Sequence, residues 1–408
     1  MHKMSVEKMV PEIRFEGFSD EWQSLSLDKI TDVYDGTHQT PAYTKNGVMF
    51  LSAENIRSLT SQKFISEKAF KEEFKVYPQK NDVLMTRIGD VGTANVVETD
   101  DDKAYYVTLA LLKYKQLSPY FLKSSIASPY VQKDIWLRTL HIAFPKKINM
   151  NEIKQVNVNC PTNSKESDKI GNYFQKLDNL INQYQQKHDK LSNIKKAMLE
   201  KMFPKQGETI PEIRFKGFSG EWDEKELGTD VADIVGGGTP STSISEFWNG
   251  DIDWYSPTEI GSNVYAEGSQ KKITALGLNS SSAKILPAGN TVLFTSRAGI
   301  GDMAILTKPG TTNQGFQSFV VKEGFVPYFI YSAGKQIKEY ALKHASGSTF
   351  LEISGKQLGR MKILVPCETE QTAIGNYFQK LDALIKQHQQ QITKLNNIKQ
   401  ACLSKMFV

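Results

Sequence analysis

Through residues 170–202, apolar or ring-bearing side chains recur at steps alternating four and three: Ile170, Phe174, Leu177, Ile181, Tyr184, His188 and Leu191, then Met198 and Met202. That spacing is the seam of a coiled coil. Lys195 interrupts it, and Ile194 stands ready to take over locally. A second seam runs through Ile374, Phe378, Leu381, Ile385, His388, Ile392, Leu395, Cys402 and Met406. Beyond the opening Gly171 and Gly375 neither stretch holds glycine or proline. Each therefore predicts one helix of about 33 residues, roughly 50 Å long. A lone apolar stripe of that length needs a partner in water. The two helices are expected to pack antiparallel on each other about a pseudo-twofold axis; the alternative is that each packs on its own globular body.

Elsewhere the pattern shortens. "GVMFLSAENI" (47–56), "DVLMTRIG" (82–89) and "YYVTLALLKY" (105–114) read as strands, as do "DIDWYSPTEI" (251–260), "TVLFTSRAGIG" (291–301) and "FQSFVVK" (316–322). A helical stretch follows each set. "SPYFLKSSIASPYVQKDIWL" (118–137) carries Ser128–Pro129 as a cap and first-turn pair, and "VPYFIYSAGKQIKEYALKHASG" (326–347) is expected to stop at Gly347.

The chain is a tandem repeat. "VPEIRFEGFSDEW" (10–22) returns as "IPEIRFKGFSGEW" (210–222), ten of thirteen positions identical. The segment 170–204 returns at 374–408 with twenty-four of thirty-five identical, and "IGNYFQKLD" recurs unchanged. The bodies between align weakly: "NDVLMTRIGDVGTA" (81–94) with "GNTVLFTSRAGIGDMA" (289–304), and "GTHQTPAY" (36–43) with "GGGTPSTS" (236–243). Near-identical frames around diverged bodies imply one mechanical role for the frames and separate targets for the bodies. The expected architecture is mixed α/β, two globular bodies joined by two long antiparallel coiled-coil helices in a pseudo-twofold internal repeat. Its parts are a leader (1–24), a first body (25–160), a central helix (161–204), a second leader (205–224), a second body (225–366) and a closing helix (367–408).

Composition narrows the class. No run of 18 apolar residues occurs, and "MHKMSVEKMVPEIRF" lacks the apolar core of a signal peptide, so a cytoplasmic protein is expected. Cys160, Cys367 and Cys402 are too scattered for a disulfide framework or zinc site and read as free thiols. A net charge of +5 permits a polyanionic partner.

Catalytic signatures are missing. There is no Gly-x4-Gly-Lys-Ser/Thr phosphate loop, no His-Glu-x2-His and no paired Cys-x2-Cys. No two prolines are adjacent, which removes the acidic/amide–Pro–Pro–aromatic box of amino-methylating DNA methyltransferases. One candidate remains: Asp134 with Glu152–Ile153–Lys154 resembles a metal-dependent nuclease cluster, although Gln357 and Gly359 replace its Glu and Lys in the second body.

At "PEIRFEGFSDEW…IGNYFQKLD" and its second copy, over essentially the whole chain, the sequence resembles the DNA-specificity subunit of type I restriction–modification systems. "TSRAGIGDMAIL", "TTNQGFQSF" and "GSTFLEIS" resemble strings of that family's target-recognition domains. The resemblance implies a non-catalytic subunit that reads a split, asymmetric site in double-stranded DNA, one half per body. It implies that two adenine-methyltransferase subunits dock against the helices. S-adenosylmethionine would then sit in the methyltransferase partner, and ATP and Mg²⁺ in two restriction subunits, with no cofactor or metal in this chain.

Reading bases takes side chains that make two hydrogen bonds, Arg to guanine and Asn or Gln to adenine. In the first body the candidates are His38, Gln39, Thr40 and Tyr43 on a polar loop, and Arg87 after a strand. In the second they are Thr239, Ser241 and Thr242 after the glycines 236–238, Arg297, and Asn313, Gln314 and Gln317. Such loops are also ordinary turns, and Arg87 and Arg297, aligned between bodies that read different sequences, suit phosphate contact or internal structure better than base reading. Asn172, Gln175, Lys176 and Asp178, repeated as Asn376, Gln379, Lys380 and Asp382, are expected to dock the partner once per half. Competing readings are a self-sufficient DNA-cleaving or modifying enzyme and a scaffold without DNA affinity.

Overall fold

The computed structural model describes residues 9–261, 263–297, 299–347 and 351–408. The chain forms two compact units, one of residues up to Gln185 with Gln390–Val408, the other Gln186–Gln389. Both long segments are single helices, Ser164–Lys201 and Glu368–Lys405, each starting six residues before the predicted seam. Each unit thus holds the front of one helix and the back of the other.

In the first unit, one four-stranded antiparallel sheet runs in the order Asp32–Asp35, Leu109–Lys113, Val83–Thr86, Ala94–Val96. Its inner strands are apolar up to their last residues, Thr86 and Lys113, because both faces are covered. Val83 and Met85 face the helices, while Leu84 faces a second core beneath the other sheet. That sheet pairs Val48–Leu51 in parallel with Lys103–Tyr105. The second unit repeats the plan, with Ala232–Gly236, Gln317–Val321, Thr291–Phe294 and Met303–Leu306 in the first sheet and Trp248–Tyr255 parallel to Gly310–Thr312 in the other. The two bodies therefore share these pairings, and they differ at the edges: Tyr265–Ala266 adds a fifth, parallel strand to the first sheet of the second body, and the other sheet has three strands there and four in the first body.

Both expected packings occur together. Ile170, Phe174 and Leu177 lie in their own body's core, and the same core takes in Leu403, Met406 and Phe407 from the second long helix and its end. Phe407 closes an aromatic cluster with Trp22, Phe121 and Phe174 at 6.2, 5.4 and 5.6 Å. In the second unit Phe203, from the end of the first long helix, does the same against Trp222, Phe329 and Phe378 at 5.8, 5.3 and 6.4 Å. Inside each unit the helix segments run antiparallel. Tyr173 Oη lies 3.5 Å from Cys402 Sγ, and Asp178 lies 2.5 Å from Lys399. The interruption at Lys195 is the counterpart of that pair: its amine meets Asp382 at 2.5 Å.

Burial is the largest single influence on Asp178 and opposes its ionisation, yet the charges and hydrogen bonds of Lys123 and Lys399 together outweigh it and hold the carboxyl below its ordinary range. A carboxyl with a lower pKa folded than unfolded gives stability that is full above the unfolded value of about 3.9 and is lost as pH falls through the folded value. Denaturation of the full chain is expected to show falling stability below about pH 4, with a shallower fall in Asp178→Asn; identical acid profiles would refute this role.

The leaders tie the helix ends. Arg14 grips Glu166, in the first turn of the first long helix, through Nε and Nη2 at 2.6 and 2.7 Å. The adjacent Ile13 N–H donates to Lys405 O of the second at 2.9 Å. Arg214–Glu370 and Ile213–Lys201 repeat both contacts. The three cysteines are free.

Gly171 and Gly375 answer to close approach. A Cβ on Gly171 would stand 2.5 Å from Ser118 Oγ and 2.8 Å from the backbone nitrogen of Phe121; on Gly375 the nearest atom would be Tyr328 Cβ at 3.3 Å. Alanine gains about 1 kcal/mol of helix propensity over glycine. Gly375→Ala is therefore expected to be neutral or stabilising in urea denaturation, and Gly171→Ala to destabilise by about 1–2 kcal/mol through overpacking. The opposite order would show that close packing is not what holds glycine there.

Two boundaries differ from expectation. The helical stretch of the second body breaks at Ala333 and ends at His344, with Ala345 extended, so Gly347 is not its stop. In the first body Ser128 does cap a helix, Pro129–Arg138, but the preceding residues form a separate one, Pro119–Ile126.

Candidate nucleic-acid interface

Four loops meet at one end of each body. In the first, Thr37 N–H donates to Tyr105 O at 3.1 Å and Val107 N–H to Thr37 O at 2.9 Å, Arg87 N–H reaches Thr108 O at 2.9 Å, and Ile148 N–H reaches Arg87 O at 3.0 Å. In the second, Gly238 N–H donates to Thr312 O at 2.9 Å, Ser296 N–H to Gly315 O at 2.7 Å, and Ile353 N–H to Ser296 O at 3.1 Å. Three of the four bonds of the first framework recur in the second, and the candidate residues hang from them.

This register moves one alignment. Arg87 occupies the position of Ser296, and Arg297 that of Ile88, as the bridges Ile88–Lys147 and Arg297–Glu352 also require. A slip of one residue turns a strand's side chain to the opposite face. Arg87 accordingly points inward and is buried. It donates to Asp35 Oδ1 at 2.6 Å, Val107 O at 3.2 Å and Ile148 O at 3.3 Å. Arg297 is half-exposed, 3.9 Å from Glu352.

Asp35 is the base of the first candidate loop. Its other oxygen lies 2.9 Å from His38 Nε2, and Tyr105 Oη donates to its carbonyl at 2.9 Å. Burial, with the Asp35 charge nearby, pushes the Tyr105 phenol up and keeps it a donor. Gln39 and Thr40 are exposed on the same loop. Tyr43 is exposed too, with Lys63 Nζ 5.9 Å from its ring centre. In the second body the Thr239 hydroxyl bonds to the exposed Gln314 side chain, joining two loops. Asn313 turns inward, its Oδ1 accepting from Gly315 N–H at 2.7 Å. Gln317 lies on the strand Gln317–Val321 opposite Gly236. Ser241 bonds to Ser243 at 2.8 Å, and Thr242 is exposed beside it. Of the strings named above, Ala298 and residues 348–350 lie outside the described residues.

The repeated nonapeptide divides by use. Ile170, Gly171, Tyr173, Phe174, Leu177 and Asp178 all serve internal packing or pairing. Asp382 likewise binds Lys195 and accepts from Tyr328 Oη at 2.7 Å. Gln175 is half-buried, and Gln379 donates to Tyr265 Oη at 2.7 Å. Asn172 and Lys176, with Asn376 and Lys380, stand exposed four residues apart on one helix face in each copy.

The nuclease-like cluster has another use. Arg138 binds Asp134 at 2.9 Å and Glu152 at 3.3 Å, and Asp134 also accepts from Asn157 N–H at 2.8 Å. Among the described residues no group of three or more His, Cys, Asp or Glu is arranged to hold a metal ion. No helix among them is long and apolar enough to cross a membrane.

Sequence reasoning overlooked the fourth loop of the first body, residues 139–147. Its signal was present as a run of Leu140, Ile142 and Phe144 between polar residues, too short to read as an element.

Residues 219–397 match the family model of the type I restriction modification DNA specificity domain. The chain is 35% identical over 192 residues to the type I restriction enzyme MjaIX specificity subunit of Methanocaldococcus jannaschii, covering 46% of this chain and 44% of that one. It is 34% identical over 181 residues to the EcoR124I/EcoR124II specificity subunit of Escherichia coli, covering 42% and 43%. Each alignment thus spans less than half of its relative's length. In fold, the chain is similar to the crystal structure of a type I restriction-modification S subunit from M. genitalium, with a TM-score of 0.70 at 15% identity over 98% of this chain and 99% of that one.

Proposed function

We infer the function from the premise that this chain belongs to the type I restriction–modification DNA specificity family: it is the non-catalytic subunit that reads a bipartite, asymmetric site in double-stranded DNA. One observation carries this reading. Loops of different composition hang from the same hydrogen-bonded framework in both bodies, which is what two readers of unlike sequence on one scaffold require. Residues 25–160 and 225–366 act as the target-recognition domains. The segments 161–204 and 367–408, with the leaders 1–24 and 205–224, act as the frame. His38, Gln39, Thr40 and Tyr43 face the first half-site. Thr239, Ser241, Thr242, Arg297, Gln314 and Gln317 face the second. Arg87 and Asn313 work from behind, holding the loops that read.

The exposed Asn172–Lys176 and Asn376–Lys380 faces each dock one adenine-methyltransferase subunit, so catalysis and S-adenosylmethionine reside in the partner. Two restriction subunits, with ATP and Mg²⁺, complete the cytoplasmic complex. The test is genome-wide mapping of methyladenine in a host carrying this chain and its methyltransferase partner. A split motif with a non-specific spacer is expected. Methylation confined to an undivided motif, or a motif indifferent to this chain, overturns the reading.

A further inference from the structure

The fourth loop of the first body is built for a task the reading loops do not perform. Leu140 N–H donates to Lys147 O at 2.7 Å and closes a six-residue tip, 141–146. Gly89 N–H donates to Lys146 O at 2.8 Å and pins it to the body. On this anchored tip Ile142 is 99% exposed and Phe144 104% exposed. Two large apolar side chains held wholly in water lose the free energy that burial would give them, unless a partner covers them.

Charge and position identify the partner as duplex DNA. Lys146 and Lys147 are exposed beside the apolar pair, and neither has an ion-pair partner among the described residues. Arg87 links the tip to the reading loop, since one guanidinium donates both to Ile148 O and to the Asp35 carboxylate that holds His38. Leu137, Leu140 and Trp136, whose ring lies 4.7 Å from that of His141, are exposed at the base of the loop, and Ile142 and Phe144 stand out beyond them at its end, a terminal pair of the size of a wedge for a base step. Its bridge partners put Leu351 and Glu352 of the second body at the positions of Lys146 and Lys147, so the combination belongs to one body.

Resting on the DNA-reading function above, we propose that residues 141–146 form a wedge whose Ile142 and Phe144 enter a base step in or beside the first half-site, while Lys146 and Lys147 hold the flanking phosphates. Insertion unstacks the step and kinks the duplex, which adds sequence preference through deformability at a base pair that no side chain reads by hydrogen bonding.

The experiment uses the full chain assembled with its methyltransferase partner and a duplex carrying the mapped motif, with 2-aminopurine placed at successive positions through the first half-site and its flanks. Binding is expected to raise fluorescence several-fold at one step away from the methylated adenine. The double substitution Ile142→Ser with Phe144→Ser is expected to abolish that rise and weaken site binding roughly tenfold, with melting temperature and subunit composition unchanged because neither side chain is buried. Lys146→Gln with Lys147→Gln is expected to reduce the slope of log affinity against log salt by about two. A serine variant that keeps the fluorescence rise overturns the wedge and leaves the DNA-reading function standing. Failure of that variant to assemble makes the tip a protein-docking surface and overturns the wedge as well. If the unsubstituted complex binds no split site, the functional reading falls and the wedge with it.

Discussion

Arg214→Ala is expected to destabilise the second unit by about 3–5 kcal/mol. Glu370 is 0% exposed, and both its oxygens are held by Arg214, Nε and Nη2 each at 2.6 Å. The remaining arm of the guanidinium donates to Gly220 O at 2.5 Å, closing the leader on itself. Truncation removes three hydrogen bonds and strands a carboxylate that is closed off from solvent. The first turn of a helix relieves part of that charge, by up to about 1 kcal/mol at an exposed site, so the helix start does not replace the arginine. Arg214→Met with Glu370→Leu, which removes both charges and keeps apolar bulk, is expected to recover most of the loss. Chemical denaturation of the full chain reads both. A single-variant cost below about 1 kcal/mol would reduce the pair to a surface contact.

On the proposed function, exchanging residues 225–366 for the corresponding body of a similar specificity subunit is expected to change one half of the methylated motif and leave the other half and its target adenine intact. Two mismatched base pairs, at about 1–3 kcal/mol each, suffice to end methylation at the original site. The graft must respect what the frame touches. Phe329 packs 5.3 Å from Phe203, and Tyr328 donates to Asp382. The first body has Tyr120 and Phe121 in the same places, with Phe121 against Phe407, so a donor body with that Tyr-Phe pair seats on the same helices. Methyladenine mapping decides the matter: a motif altered in both halves would mean that the bodies do not read independently.

The seams, the two helices and the shared topology were legible because each is a periodic or repeated signal, and a local period fixes which side chains face the core. Pairings across long stretches of chain were not. Arg14 and Glu166 are 152 residues apart, and nothing in the local pattern of either leader announces a helix start as its partner. Asp178 and Asp382 looked like candidates for an outside partner because both copies keep them, yet the same identity serves a lysine on the facing helix. The alignment of Arg87 with Arg297 failed for a smaller reason. The two turns span equal lengths, Thr86 to Thr93 and Thr295 to Asp302, but Arg87 is the first residue after its threonine and Arg297 the second, and in a strand one residue decides between inside and outside. The candidate loops stood out by their glycines and polar side chains. The apolar tip was not, since Ile142 and Phe144 read as core residues until their surroundings are known.

The first unit is assembled from both ends of the chain. Its aromatic cluster lacks Phe407 until residues 390–408 have left the ribosome, whereas the second unit is contiguous, Gln186–Gln389. The part translated first is therefore completed last, and Trp22, Phe121 and Phe174 wait meanwhile with one side uncovered. Without the closing helix the first unit is left with an open aromatic socket, so its cohesion depends on residues more than 200 positions further along the chain.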